Sequence, residues 1–199
     1  MSTVSTIQIW NMALGYVGTR TIASETENCE EARQCALYYD LARRQALRDY
    51  PYPWAQTRAA LAAKAVPDVW AVEWRYAYGL PDLCLKLHRV DNPGGHHRTP
   101  FRIVSDPDGT VLVLTDVAGA YAEYTQDVQS PTAWDDGFAH MLARKLAALV
   151  AVPLLKGNGS KVSELEQLYR ASIPSAYGMA ASEGKDKPQE DAWITCRGA

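Results

Sequence analysis

The sequence predicts an α+β fold: a mainly α-helical bundle with an inserted small antiparallel β module and an extended C-terminal tail. Three observations predict this class. Apolar residues recur with the helical period of about 3.6 in the first and last thirds of the chain. In the middle third they alternate with polar residues, as in a half-buried strand. From Ser182 onwards the composition is polar.

Two helices are predicted in the N-terminal part. The first, over residues 5–17, is followed by Gly18, which readily adopts the left-handed conformation that ends a helix. Its apolar face consists of Ile7, Trp10, Leu14 and Val17. The second helix is predicted over residues 27–50. It ends there because Pro51 follows, and a proline pushes the preceding residue out of the helical region.

The second helix has apolar residues on two sides. Its broader apolar face consists of Ala32, Cys35, Ala36, Tyr39, Ala46, Leu47 and Tyr50. The opposite side contains Leu37, Tyr38 and Leu41 among Arg33, Gln34, Arg44 and Arg48. A helix with apolar groups on two sides usually packs against two partners. In a small protein, the second partner is often another subunit.

A predicted structural anchor lies on the second helix and just after it. Arg43 falls within the broader apolar face, with Asp40 near its edge. A guanidinium there is costly unless it is paired, because it leaves water for a medium of lower dielectric constant. We therefore expect Arg43 either in an internal salt bridge with Asp40 or in a contact between subunits. The anchor also includes Tyr39 and Trp54. Trp54 lies in the Pro-aromatic corner that directly follows the helix.

Short strands are predicted between residues 83 and 125. Leucines alternate with other residues over 83–88, and Asp-Pro-Asp-Gly at 106–109 is a strong turn signal. Further strands are predicted around Phe101 and Ile103, at 111–114 and at 121–124. The loop Asn92–Arg98 is rich in Gly and His. The aromatic residues Trp70, Trp74, Tyr76 and Tyr78 belong either to core and sheet packing or to a subunit interface, where Trp and Tyr are enriched.

Two more helices are predicted, over residues 134–155 and 160–180. Ser160 is a natural N-cap for the last one, and Ser163 with Glu166 offers an alternative capping box. Pro174 should kink this helix or shift its register. The apolar face of the third consists of Trp134, Phe138, Met141, Leu142, Leu146, Leu149 and Val152.

The predicted organisation is therefore a discontinuous helical bundle, formed by residues 1–60 and 130–181, around a β module of residues 61–129. Residues 182–199 form a C-terminal docking tail, with Trp193, Ile194 and Arg197 as the interaction residues. Their polar neighbours cannot bury enough apolar area to order the tail, but an aromatic group at its far end is suited to docking.

Charge and composition limit the classes of function. The formal net charge is −3 and the basic residues are scattered, which argues against tight nonspecific DNA binding. No apolar run approaches the roughly 20 residues that span a bilayer, and the N-terminus lacks the features of a signal peptide. The irregular spacing of the four cysteines predicts free thiols in a reducing compartment.

The sequence predicts neither an enzyme nor a metal or cofactor site. The four histidines, His88, His96, His97 and His140, show no zinc-type spacing. Residues 157–161 lack the full phosphate-loop pattern and are expected to be a helix–helix turn. Asp135 and Asp136 could be paired catalytic carboxylates, but acidic residues also favour a helix start, which is the preferred reading.

Five motifs occur in a fixed order. They are I-W-N-M-A-L-G-Y-V-G at 9–18, C-x3-Y-D-x2-R-x3-L-x6-W at 35–54, W-R-Y-A-Y-x-L-P-x2-C-L at 74–85, A-Y-x2-Y at 120–124 and W-x3-F-x3-L-A-x2-L-A at 134–147. Together they resemble the tail tubular protein A, or head-to-tail adaptor (connector), family of short-tailed bacteriophages. The resemblance covers nearly the whole chain.

The resemblance implies a structural virion protein rather than an enzyme. Such adaptors form a homo-oligomeric ring, usually a dodecamer, between the portal protein and the tail nozzle (tail tubular protein B), with tail fibres as further neighbours. DNA passes through the lumen of the ring without specific binding, and no membrane is involved. The implied location is the portal-proximal part of the virion tail, after synthesis in the host cytoplasm. The alternative left open is a DNA-packaging or other nucleic-acid-contacting module.

Overall fold

The computed structural model describes residues 4–93, 99–156 and 158–181. Within these residues the chain folds into four α-helices and two small antiparallel sheets, which confirms the predicted mixture of helices and antiparallel strands. The docking tail with Trp193, Ile194 and Arg197, and most of the Asn92–Arg98 loop, lie outside the described residues.

The first helix, α1, spans Thr6–Val17 and confirms the prediction. Ser5 caps it through a capping box: its side chain accepts from the backbone N–H of Gln8, and the Gln8 side chain accepts from the backbone of Ser5. Gly18 ends it with φ 87°, in the left-handed region that glycine adopts without strain.

The second helix, α2, spans Glu30–Asp49 and so begins later than predicted. Cys29 is the N-cap residue, and its sulfur accepts from the backbone N–H of Ala32 at 3.5 Å. At the other end Tyr50 is extended, as expected for a residue that precedes a proline.

The last two helices, α3 (Asp136–Leu154) and α4 (Gly159–Ala181), follow the predicted positions closely. Asn158 rather than Ser160 caps α4, since the Asn158 side chain accepts from the N–H of Lys161 at 3.3 Å. The prediction of a Ser160 cap was therefore wrong, and so was the alternative of a Ser163–Glu166 capping box. The helix α4 also continues through Pro174 without ending there.

The helix α3 lies at the centre of the helical part, because it packs against α1, α2 and α4. By length and composition alone it could cross a bilayer, but 56% of its apolar window is buried inside the protein. That burial is the pattern of a core helix, and the helical core indeed contains most of its apolar side chains, including Phe138, Leu142 and Leu146.

Seven strands lie between residues 56 and 126 of the described chain. They are β1 (Gln56–Ala60), β2 (Ala62–Lys64), β3 (Tyr76–Gly79), β4 (Cys84–Asp91), β5 (Phe101–Ser105), β6 (Val111–Thr115) and β7 (Tyr121–Gln126). One sheet has the order β1-β7-β4 and the other the order β2-β3-β6-β5, and all the pairings are antiparallel.

The sequence prediction of the β part was incomplete. It placed strands only between residues 83 and 125, and it missed β1, β2 and β3. The turn at 106–109 is confirmed: the Gly109 N–H donates to the Asp106 carbonyl at 2.9 Å, and Gly109 has φ 85°. Leu83 was expected in a strand, but it lies just before β4 with φ 61° and is half-exposed.

Two apolar clusters hold the described residues together. The larger one lies among the four helices and also contains Tyr52, from the Pro-aromatic corner. The smaller one lies between the sheets and contains Leu61, Tyr78, Val90, Val113 and Tyr124. Leu85 of β4 packs against the helical cluster, so the sheets and the helices share a contact there.

Candidate functional site

A buried ion pair joins α2 to the first sheet. The side chain of Arg43 donates from Nε to Asp127 Oδ1 and from Nη2 to Asp127 Oδ2, both at 3.1 Å. Both residues are buried. Asp127 comes directly after β7, and its own N–H donates to the Leu83 carbonyl at 2.8 Å. The pair therefore connects one helix to the end of a central strand, and its two-point geometry fixes their relative orientation.

Asp40 is a second, weaker partner of the same guanidinium. Its carboxylate lies 3.0 Å from Arg43 Nη1, but the side chain of Asp40 is 67% exposed. The predicted contact between Arg43 and Asp40 is present, and solvent screening makes it a small contribution. The buried partner of Arg43 is Asp127, and the sequence did not predict it.

The Pro-aromatic corner contacts the start of α3. The indole N–H of Trp54 donates to Asp135 Oδ2 at 2.7 Å, and Asp135 Oδ1 accepts from the backbone N–H of Phe138 at 2.6 Å. Asp135 is thus the N-cap of α3 and also holds Trp54. The preferred reading of Asp135 as a helix-start residue is confirmed.

Aromatic rings close around Phe138 next to this cap. Tyr52, Trp54 and Trp134 each meet the Phe138 ring edge-on, with centroids 5.0–5.1 Å apart. Such edge-to-face pairs add to the stabilisation from burial alone. The remaining predicted anchor residue, Tyr39, is buried elsewhere, against Trp10 of α1 at 5.9 Å. The four predicted anchor residues therefore form three separate contacts rather than one site.

The outward side of α2 carries an apolar and basic stripe. We define the outer stripe as Leu37, Leu41, Arg44 and Arg48, which follow one another at helical spacing. Leu37 is 67% exposed and Leu41 is 40% exposed. Within the described part of the chain, neither Arg44 nor Arg48 has a carboxylate within salt-bridge distance. The stripe is therefore a surface suited to a partner with apolar and acidic groups.

A second ion cluster stabilises the first sheet. Asp91 at the end of β4 is fully buried, with Arg89 Nε at 2.9 Å from its carboxylate. Arg89 also reaches Glu123 of β7, at 2.6 Å between Nη2 and Oε2. Each arginine charge here is balanced by a carboxylate, so the cluster is not suited to binding an anion.

The titratable side chains of the described residues do not gather into a metal site. No group of three or more His, Cys, Asp or Glu side chains in residues 4–93, 99–156 and 158–181 is placed to hold a metal ion. His88 is hydrogen-bonded to the Thr125 hydroxyl at 2.7 Å, and burial lowers the pKa of its imidazole. Cys29, Cys35 and Cys84 are free thiols.

Burial keeps several acidic protons on the folded protein at high pH. It raises the pKa of the Cys35 thiol to about 12. It also raises the pKa of the Tyr52 and Tyr169 phenols, with the hydrogen bond from Tyr169 to Asp49 as a further cause for the latter. Ordinary values are about 8.5 for Cys and about 10 for Tyr. The unfolded chain therefore releases these protons first as the pH rises.

We expect the free energy of unfolding to fall steadily above about pH 9, because the folded state retains protons that the unfolded state has lost. Each such group lowers it by up to about 1.4 kcal/mol per pH unit. Urea unfolding at intervals from pH 7 to 11 measures this slope. Cys35→Ala should flatten the slope most between about pH 9 and 10, below the midpoint of tyrosine titration. Equal slopes for the variant and the wild type would contradict a titrating role for Cys35.

Comparison with known proteins adds no assignment. No protein-family model matches the sequence, and no curated protein matches it.

Proposed function

We propose that this protein is a subunit of a ring-shaped head-to-tail adaptor of a short-tailed bacteriophage. In this role it extends the DNA channel below the portal and offers attachment surface to the tail nozzle and fibres. The observation that carries the proposal is the fixed order of the five motifs along nearly the whole chain.

The positions of the motif residues support the proposal. Cys35, Tyr39 and Leu47 of the second motif face the helical core, and Arg43 makes the buried pair to Asp127. The rings of Trp54 and Phe138, from the second and fifth motifs, pack edge-to-face. The motif residues therefore belong to the helical core and to one buried contact between a helix and a sheet, which suits a role in a common subunit shape.

The outer stripe on α2 supports assembly as the mode of action. A ring forms when one surface of a subunit meets a different surface of the next and the rotation closes. Exposed Leu37 and Leu41 provide apolar area for one of these surfaces. The net charge of −3 agrees with a channel through which DNA passes, since a mildly acidic lining does not hold phosphate.

Electron microscopy of the purified protein mixed with portal rings tests the proposal. We expect a second ring, coaxial with the portal and open at its centre. Portal rings that remain bare over a range of protein concentrations would overturn the adaptor role. Retention of double-stranded DNA at physiological salt would instead favour the alternative, a nucleic-acid-contacting packaging module.

Deletion of residues 182–199 tests the predicted docking tail. The four helices and both sheets end before residue 182, so the truncated protein should keep its circular dichroism spectrum. We expect it to join portal rings weakly or not at all, because Trp193 and Ile194 are the proposed anchors in a partner's pocket. Trp193→Ala combined with Ile194→Ala is the matched control, because it keeps the tail at full length and removes only the proposed anchors. Normal assembly of both variants on portal rings would remove the docking role of the tail.

A further inference from the structure

The connection between β2 and β3 projects apolar side chains into solvent. We define the knob as residues 67–74, Pro-Asp-Val-Trp-Ala-Val-Glu-Trp. Val69 is 82% exposed and Val72 is 95% exposed, more than any other large apolar side chain of the described residues. Paired exposed valines at a loop tip are suited to insertion against another apolar surface.

The knob is held in one conformation by its own backbone and by the second sheet. The Trp70 N–H donates to the Pro67 carbonyl at 2.8 Å, and the Trp74 N–H donates to the Trp70 carbonyl at 3.0 Å. The guanidinium of Arg102 lies over the Trp70 ring, 4.4 Å from its centroid. A loop fixed in this way loses little conformational entropy when it binds.

The knob and the outer stripe are complementary in charge. The knob contains two exposed acidic residues, Asp68 and Glu73, and no lysine or arginine. Glu73 has a long, exposed contact of 3.7 Å with Arg102, which solvent screens. The outer stripe contains two exposed arginines, Arg44 and Arg48, next to its leucines. Each surface thus combines apolar side chains with charges that match the other.

We propose that the knob of one copy of this chain docks on the outer stripe of the next copy. The valines of the knob then cover Leu37 and Leu41, while its carboxylates face Arg44 and Arg48. The two surfaces belong to different elements, so the contact is heterologous and repeats from copy to copy. This inference rests on the proposed ring and names the contact that builds it.

Charge reversal tests the contact by complementation. The knob variant carries Asp68→Lys and Glu73→Lys, and the stripe variant carries Arg44→Glu and Arg48→Glu. All four positions are exposed, so both variants should fold normally by circular dichroism. Asp82→Lys and Arg170→Glu are matched controls at exposed sites outside both surfaces. Ring formation on portal rings is counted by electron microscopy and by co-sedimentation.

Each variant alone should form rings at least about tenfold less efficiently than the wild type, because like charges then oppose each other at every contact. An equal mixture of the two should recover ring formation. In the mixture, the reversed knob of one copy meets the reversed stripe of its neighbour, and the native knob of that neighbour meets a native stripe. The control substitutions should leave ring formation unchanged.

The outcomes separate this contact from the proposed function. If the wild type forms rings and both variants do so equally well, the knob–stripe contact is wrong and the adaptor role stands. If both variants fail and their mixture also fails, the two surfaces meet other partners, such as portal or nozzle, and the inference is again overturned. If the wild type forms no ring on portal, the proposed function itself fails.

Discussion

Arg43→Ala is expected to destabilise the subunit by about 3 kcal/mol or more, because it leaves Asp127 buried without its partner. That loss is a large part of the total stability of about 5–15 kcal/mol that is usual for a domain. Urea unfolding followed by circular dichroism measures it as a lower transition midpoint. Since the pair joins α2 to the end of β7, we also expect faster proteolysis in the segment that follows β7.

Two further variants distinguish the buried pair from a general effect of losing charge. Arg44→Ala removes an exposed arginine one residue away and should change stability by less than about 0.5 kcal/mol. Arg43→Met combined with Asp127→Leu removes both charges together, and it should recover most of the loss because no buried charge remains unpaired. A midpoint for Arg43→Ala equal to that of Arg44→Ala would show that the pair contributes little to folding.

The helices could be predicted because their signals are local. The helix α1 has its cap, its apolar face and its terminating glycine within fourteen residues, Ser5–Gly18, and each signal acts over a turn or two of chain. The misplaced cap of α4 has the same local origin. Asn158 and Ser160 are both good caps and lie two residues apart, so the local sequence alone does not choose between them.

The strands β1 and β2 could not be predicted in the same way. Their sequences, Gln-Thr-Arg-Ala-Ala and Ala-Ala-Lys, are rich in alanine and contain few of the β-branched and aromatic residues that favour strands. They are strands because of distant partners. Thr57 pairs with Tyr124 and Ala63 pairs with Tyr78, and a window of sequence contains no information about such pairs.

The predicted anchor at Arg43 shows the same difference between local signals and long-range contacts. A guanidinium in an apolar helix face predicts a buried partner, and the sequence identified that need at Arg43. It proposed Asp40 because that residue is one helical turn away. Asp127 is distant in sequence and becomes a neighbour only when the fold brings the end of β7 to Arg43 of α2. The sequence thus predicts that Arg43 needs a buried partner, but only the folded arrangement identifies that partner as Asp127.

Phe138→Ala is expected to reduce the free energy of unfolding by about 3–5 kcal/mol, since Phe138 is fully buried and its removal leaves a cavity. Three aromatic rings that now meet its edge or face, from Tyr52, Trp54 and Trp134, would lose a contact at once. The cavity would lie beside the Asp135 cap, so the start of α3 should fray as well. Urea unfolding measures the first effect, and hydrogen exchange of the α3 amides measures the second.

Phe101→Ala is the matched control for this prediction, because Phe101 and Phe138 are the two phenylalanines of the chain. Phe101 is only half-buried, at the start of β5 and against the smaller cluster. The same truncation there should cost about 1–2 kcal/mol and leave exchange in α3 unchanged. If the two variants unfolded at the same urea concentration, the ring contacts of Phe138 would contribute no more to stability than the partly buried Phe101 does.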